Sequence, residues 1–143
     1  GLAGVPAFSR LLAVFAGPRD ARAGDGDRAD AAARRVALGM GLARQSAMHA
    51  SQARMVFFDS ATTSYLIPNV DHLDHRTPHY ATDLKVPPYQ AKNLSVTFTD
   101  RGASFLSFDG FGKPNCGATV TIQVGNEQRV IVVDSVEGKA TVQ

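Results

Sequence analysis

The spacing of apolar residues changes period once, near residue 52, and that change constrains the fold more than any other feature of the chain. From Arg28 to Gln52, RADAAARRVALGMGLARQSAMHASQ, apolar residues recur three and four apart. Val36, Met40, Ala43 and Ala47 share one helical stripe, and Leu38 and Leu42 widen it. Asp25 or Asp27 is placed to cap this helix, because a short acceptor side chain can bond the open amides of a first turn. Gly39 and Gly41 each cost about 1 kcal/mol relative to Ala. Either a neighbouring element packs close against them or the helix tolerates them.

After Ser51 apolar and polar residues alternate. ARMVFFDS and TSYLIP predict a hairpin closed through SATT. LSVTFT, SFLSFD, ATVTIQV, RVIVV and GKATV predict five further strands, separated by TDRGA, GFGKPNCG, GNEQ and SVEG. Val120, Ile122 and Val124 alternate with Thr119, Thr121 and Gln123, which gives a sheet with one buried face. Residues 68–93, rich in Pro, His and Asp, lack periodicity and predict a long connection. A helix first and strands after predicts an α+β fold, an N-terminal helical spine packed on antiparallel β-sheets. Upstream, PAFSRLLAVFA places Phe8, Leu11, Leu12 and Phe15 on one stripe, and GPRDARAGDGD follows as a loop. The expected organisation is therefore a helical remnant over 1–16, a hinge over 17–27, and a globular unit over 28–143. Within that unit a helix spans 28–52 and a β-rich head spans 54–143.

Composition narrows the function. The chain has 143 residues, enough for one domain with a core, and is 44% hydrophobic and 20% charged, as folded domains are. Its net charge of +2 does not by itself argue for a nucleic-acid partner. The charge is uneven, since residues 1–54 hold eight Arg and four Asp while the rest is mildly acidic. One cysteine, Cys116, excludes an intramolecular disulfide and a Cys-based metal site. The chain begins with Gly rather than Met, which reads as processing or truncation.

The chemistry-bearing candidates are few. His72, His75 and His79, with Asp71 and Asp74, are donors suited to zinc, but Pro78 breaks the helix that would align His75 with His79. Ser, His and Asp all occur, yet there is no Gly-x-Ser-x-Gly elbow and no phosphate-cradling Gly-x-x-x-x-Gly-Lys-Ser/Thr. GFGKPNCG is a turn between strands. The sequence predicts no enzyme and no cofactor. Arg34, Arg35, Arg129 and Lys139 are candidates for contact with DNA phosphates, which bind arginine clusters without sequence readout.

VPAFSRLL, ALGMGLARQSAMHASQARMVFF and LSFDGFGKPNCGATVTIQVGNEQRVIVVDSVEGKATVQ together resemble three successive parts of the GspH/FimT family of minor pseudopilins. The matching features are the Pro-aromatic stretch Val5 to Phe8 and the Ala-Arg-x-x-Ala pattern Ala43 to Ala47. Towards the end come Phe108 to Gly112, the Thr-rich strand Thr119 to Val124, Arg129 to Val133, and the glycine-led Gly138 to Val142. The resemblance implies an assembly subunit of a type II secretion pseudopilus or type IV pilus. It would be anchored in the inner membrane by a preceding N-terminal helix, with its head in the periplasm, and would join other pilin-type subunits through an inner-membrane assembly platform. The chain departs from the family in two places. AGPRDARAGDGD interrupts the long helix, and Gly138-Lys139-Ala140-Thr141 carries one basic residue where DNA-uptake members carry two, in a Gly-Arg-x-Arg ending. Within this reading the stripe Val36, Met40, Ala43 and Ala47 is a candidate contact face that serves better as core against the sheet, and the loop 68–93 is the better candidate for partner contact.

Overall fold

The computed structural model describes residues 24–70 and 79–143. Helix α1 runs Asp25–Ala50, about 39 Å of rod at 1.5 Å per residue. It is followed by β1 (Arg54–Asp59), β2 (Ser64–Pro68), β3 (His79–Asp83), β4 (Asn93–Phe98), β5 (Leu106–Phe108), β6 (Ala118–Val124), β7 (Glu127–Val133) and β8 (Ala140–Val142). Among the described residues the strands form two four-stranded sheets, ordered β3-β2-β1-β5 and β4-β6-β7-β8, and every pairing is antiparallel. The fold is α+β, one helix packed on antiparallel sheets.

Helix α1 holds the two sheets together. Ala29, Ala32, Ala33, Val36, Met40, Ala43 and Ala47 lie on the predicted stripe and are fully buried. Most are alanine, so the rod approaches the strands closely and touches β1, β5, β6, β7 and β8. The core beneath it contains Tyr65, Ile67, Tyr80, Leu106 and Phe108 from one sheet and Val120, Ile122 and Ile131 from the other. Burying aliphatic and aromatic side chains of this size contributes roughly 1.5–3 kcal/mol each, and the small alanines of the stripe let the rod close over them.

Several boundaries differ from the sequence reading. The helix begins at Asp25, not Arg28, so residues 25–27 of the expected hinge are helical. Asp25 and Asp27 do not cap it. Gly24 is the N-cap, and both carboxylates sit in the first turn, where they favour the positive end of the helix dipole. Asp25 also pairs with Arg28 one turn on. The remnant over 1–16 and residues 17–23 of the hinge lie outside the described residues. The helix stops before Gln52 because Ser51 adopts a left-handed conformation (φ 53°) and its amide bonds back to the last turn.

Leu38 does not widen the buried stripe. It faces away from the head and is 47% exposed, while Leu42 is partly buried. Gly39 and Gly41 separate cleanly. A methyl group on Gly39 would stand 2.6 Å from the Tyr65 hydroxyl, whereas one on Gly41 would meet nothing within 4 Å. Gly39 is thus a close-approach site, while nothing in the described chain itself approaches Gly41.

The connection 68–93 contains a strand the periodicity did not reveal. Strand β3 pairs with β2 over five residues, from Ser64 opposite Asp83 to Pro68 opposite His79. Tyr80 and Thr82 point inward from it, and Leu84 and Ala91 beyond it are also buried. Between β6 and β7 the turn has only two residues, Gly125 and Asn126, because Val124 pairs directly with Glu127. Gly125 has φ +57°, the left-handed geometry a tight hairpin needs at its first corner. It also packs directly against the Asp25 carboxylate, so the hairpin tip meets the start of the rod.

Candidate assembly surface

The rod determines which side chains face outward. The stripe from Ala29 to Ala47 is spent on the core, so it is not an interface. Val36, Met40, Ala43 and Ala47 thus serve as core against the sheets, the first of the two roles open to them in the sequence, and offer no contact face. The opposite stripe, with Asp27, Arg34, Leu38, Gly41, Gln45 and His49, is exposed. Of the connection 68–93, β3 and the following turn are built into the head, and residues 71–78 lie outside the described residues.

The four basic candidates do not form one patch. Arg34 is exposed on the outer stripe. Arg35 is half-buried, its guanidinium 5.3 Å from the centre of the Tyr80 ring. Arg129, on β7, donates from Nε to Asp30 Oδ1 at 2.7 Å and from Nη1 to Glu127 Oε1 at 3.2 Å. These hydrogen bonds, to Asp30 first and then Glu127, raise its pKa further, and they tie β7 to the first turns of α1. Lys139 lies at the far end of the same strand, where the Asp134 amide donates to the Lys139 carbonyl, and its amine is 3.7 Å from Glu137. Arg129 and Lys139 are therefore separated by the length of β7 beyond Arg129, on the order of 15 Å. Arg129 and Lys139 both face carboxylates of the same chain.

The metal candidates divide in the same way. His72, His75, Asp71 and Asp74 lie outside the described residues. His79 is exposed at the start of β3, and its Nδ1 accepts a hydrogen bond from the Asn69 amide at 3.2 Å. Among the described residues, no group of three or more His, Cys, Asp or Glu is gathered for a metal ion. Cys116 is buried.

Sequence reasoning missed a knot where the C-terminal half of α1 meets two loops. Arg44 donates from Nε to the carbonyl of Gly112 (3.2 Å) and to that of Glu137 (3.0 Å). One guanidinium thus joins the β5–β6 loop to the β7–β8 loop. Asp109 knits the first of these together. Its Oδ1 accepts from the amides of Phe111 and Lys113, both at 2.9 Å, and its carbonyl accepts from Gly112 at 2.8 Å. Gly112 has φ +83° and lies against Met48, and Gly138 has φ +79° and lies against Phe108. At the top of this rigid loop Phe111 is 90% exposed, with Val136 of the neighbouring loop 65% exposed beside it. No alternation or spacing marks the knot, because the carbonyls that Arg44 holds lie 68 and 93 residues away in sequence.

A second exposed surface lies on the outside of the first sheet. Phe57, Leu66 and Ala81 stand side by side on β1, β2 and β3, and Phe57 packs on Phe105 with ring centres 5.4 Å apart. A depression of about 650 Å³ opens there. Along the groove beside α1, of about 700 Å³, Leu42, Met48 and Val70 supply the apolar walls and His49 is the titratable group. The first of these surfaces is bordered by Asp59, Asp83 and Lys85, and the second by Gln45, Ser46 and His49.

With this geometry in hand, the comparison with solved structures is decisive for the fold. The type IV minor pilin FimU of Pseudomonas aeruginosa superposes with a TM-score of 0.60 at 16% identity, covering 83% of this chain and 90% of that one. The fold is pilin-like. The minor pseudopilin EpsH of the Vibrio cholerae type 2 secretion system superposes with a TM-score of 0.59 at 18% identity, covering 82% and 97%. A second EpsH structure gives 0.51 at 13% identity. No protein-family model matches the chain, and no curated protein matches it in sequence. The pilin-like head of this chain is thus carried by residues that share its packing and little of its wording. No described helix is long and apolar enough to cross a membrane.

Proposed function

We propose that the chain is a minor pseudopilin or minor pilin of the GspH/FimT type, a structural subunit of a type II secretion pseudopilus or a type IV pilus. One observation carries the reading. A single rod holds two antiparallel sheets on one side and leaves its other side exposed, in the architecture of FimU and EpsH. Such a subunit works by packing. Its outer stripe of Arg34, Leu38, Gly41 and Gln45 lies against neighbouring subunits, and the loops of the head meet a partner. The segment preceding α1 leads to an inner-membrane anchor, with the head in the periplasm, and the assembly platform draws the subunit from the membrane into the bundle. The chain joins surfaces and breaks no bonds.

The exposed glycine supports the packing role. Gly41 interrupts the outer stripe with open space around it, and a small residue is what lets another helix approach. Co-expression with candidate pilin-type partners tests the proposal. Recovery of a stable complex is the expected result, and its reduction by Gly41→Trp would place the stripe in the contact. A chain that stays alone with every pilin-type subunit of its own assembly system refutes it.

DNA capture through Arg34, Arg35, Arg129 and Lys139 is not the reading the geometry favours, since Arg129 already serves Asp30 and Glu127. A gel-shift series against salt is expected to show no retardation even at low ionic strength.

A further inference from the structure

We propose that the open edge of β4 pairs with β4 of a second copy of this chain, antiparallel about a two-fold axis at Val96, so that two four-stranded sheets run on as one. The contact needs no pilin-type partner and goes beyond the assembly reading.

Strand β4 ends its sheet. In the order β4-β6-β7-β8 it is bonded on one side, to β6. The Thr99 amide donates to the Gly117 carbonyl at 3.0 Å, so by the alternation of an antiparallel ladder residues 93, 95 and 97 also face β6. Leu94, Val96 and Phe98 therefore turn their amides and carbonyls outward. Among the described residues, none outside the ladder donates to these groups or accepts from them.

Such an edge is a template for another strand, and folded chains usually blunt it with a charge, a proline or shortness. The other three edges are blunted. β5 and β8 have three residues each, and β3 carries His79 and Asp83 at its ends. β4 has six residues, Asn-Leu-Ser-Val-Thr-Phe, with no charge and no proline. Val96 and Phe98 are only partly buried, so the edge also leaves apolar surface for a neighbour to cover.

The strand is its own complement. Antiparallel pairing with itself, Val96 on the axis, sets Leu94 opposite Phe98, Ser95 opposite Thr97 and Asn93 opposite Thr99. Apolar meets apolar on the core face, and hydroxyl or amide meets hydroxyl on the outer face. The outward groups of residues 94, 96 and 98 exchange roughly six backbone hydrogen bonds across the axis. Just beyond the strand the same register puts Lys92 of each copy opposite Asp100 of the other, both exposed. Asp100 Oδ1 accepts from the Gly102 amide at 3.0 Å, which holds that carboxylate in place. Arg101 falls opposite Ala91, so no like charges stand directly across from one another. A slip of two residues breaks both ion pairs. This charge match selects a second copy over an arbitrary strand, and a self-complementary patch closes as a two-fold dimer and grows no further.

Sedimentation velocity on the full 143-residue chain tests this from roughly 10 µM to roughly 1 mM, with amide exchange followed by NMR over the same range. The expected result is a monomer–dimer equilibrium in which the Leu94, Val96 and Phe98 amides exchange about tenfold more slowly at the top of the range. Ser95→Lys with Thr97→Lys sets like charges face to face at exposed positions and should weaken the dimer about tenfold or more. Ser95→Glu with Thr97→Lys sets opposite charges there and should dimerise at least as well as the unmodified chain. Lys92→Glu should weaken the dimer about threefold, and adding Asp100→Lys should restore it. Monomer at every concentration overturns the proposal. So do oligomers larger than the dimer, a dimer whose three edge amides exchange as in the monomer, or Ser95/Thr97 double variants that behave alike. Protection of those amides only on mixing with a pilin-type subunit gives the edge to that subunit and overturns the self-pairing. Complexes with pilin-type subunits can form whether or not this dimer does, so the two proposals fail separately.

Discussion

Gly39 and Gly41 lie two residues apart on one helix, and replacing each with alanine should change stability in opposite directions. At Gly41 the new methyl enters open space, so only the backbone term acts. The gain is about 1 kcal/mol, the difference in helix propensity between Gly and Ala. At Gly39 the same gain is available, but the methyl would stand 2.6 Å from Tyr65 Oη, 2.8 Å from Cε2 and 3.0 Å from Cζ. The ring cannot swing away. Its hydroxyl donates to the Arg35 carbonyl at 2.9 Å, it stacks on Tyr80 at 6.0 Å, and Phe58 tilts against it at 6.0 Å. Overpacking of this kind costs about 1–3 kcal/mol, and losing the Arg35 bond adds about 1 kcal/mol. Gly39→Ala should therefore destabilise by roughly 1–3 kcal/mol after the helix gain is subtracted. Urea denaturation measures both variants, read as midpoint shifts at constant slope. In thermal scans the two should separate by several degrees, at about 4 °C per kcal/mol for a domain of this size. Adding Tyr65→Phe should recover part of the Gly39→Ala loss, because it removes the nearest atom. If both alanine variants stabilise alike, Gly39 does not lie against the Tyr65 ring as described.

Three further outcomes follow from particular contacts. Burial, and after it the neighbouring Tyr80, holds the Tyr65 phenol well above its ordinary pKa. Its stabilising contribution is therefore complete below about pH 10 and is lost as pH rises through the folded-state value; urea midpoints of Tyr65→Phe should be flatter across that alkaline range. Gly138→Ala places a side chain at φ +79° and 2.9 Å from Phe108 Cε1, so urea denaturation should show a loss of roughly 2–4 kcal/mol from left-handed strain plus overpacking. Arg44→Ala should cost about 1–2 kcal/mol and should speed amide exchange at Gly112 and Gly138 while leaving β6 protected, as hydrogen exchange would report.

The fold was largely legible because it rests on local periodicity. Val36, Met40, Ala43 and Ala47 were readable as one buried stripe, and the alternation from Thr119 to Val124 was readable as a half-buried strand. Strand β3 was not, because only Tyr80 and Thr82 face inward and the prolines and histidines around them look like a loop. The start of the helix was obscured by Gly24 and Gly26, whose cost is offset by the acidic first turn and the Gly125 hairpin packed against it. The surface was less legible still. Arg44 reads in sequence as one more helix cation, and its partners are backbone carbonyls that no side-chain pattern announces. Arg129 reads as a phosphate ligand until Asp30, 99 residues earlier, is found beside it.

The way the rod lies on the head has a mechanical consequence. Its attachments are distributed along its length, from Asp25 at the Gly125 corner, through Asp30 at Arg129 and Gly39 at Tyr65, to Met48 at Gly112. These points span on the order of 35 Å of helix axis. A tug applied at the start of α1 is therefore shared among anchors in both sheets instead of falling on the first alone. A subunit hauled by its leading end would travel with its head still attached.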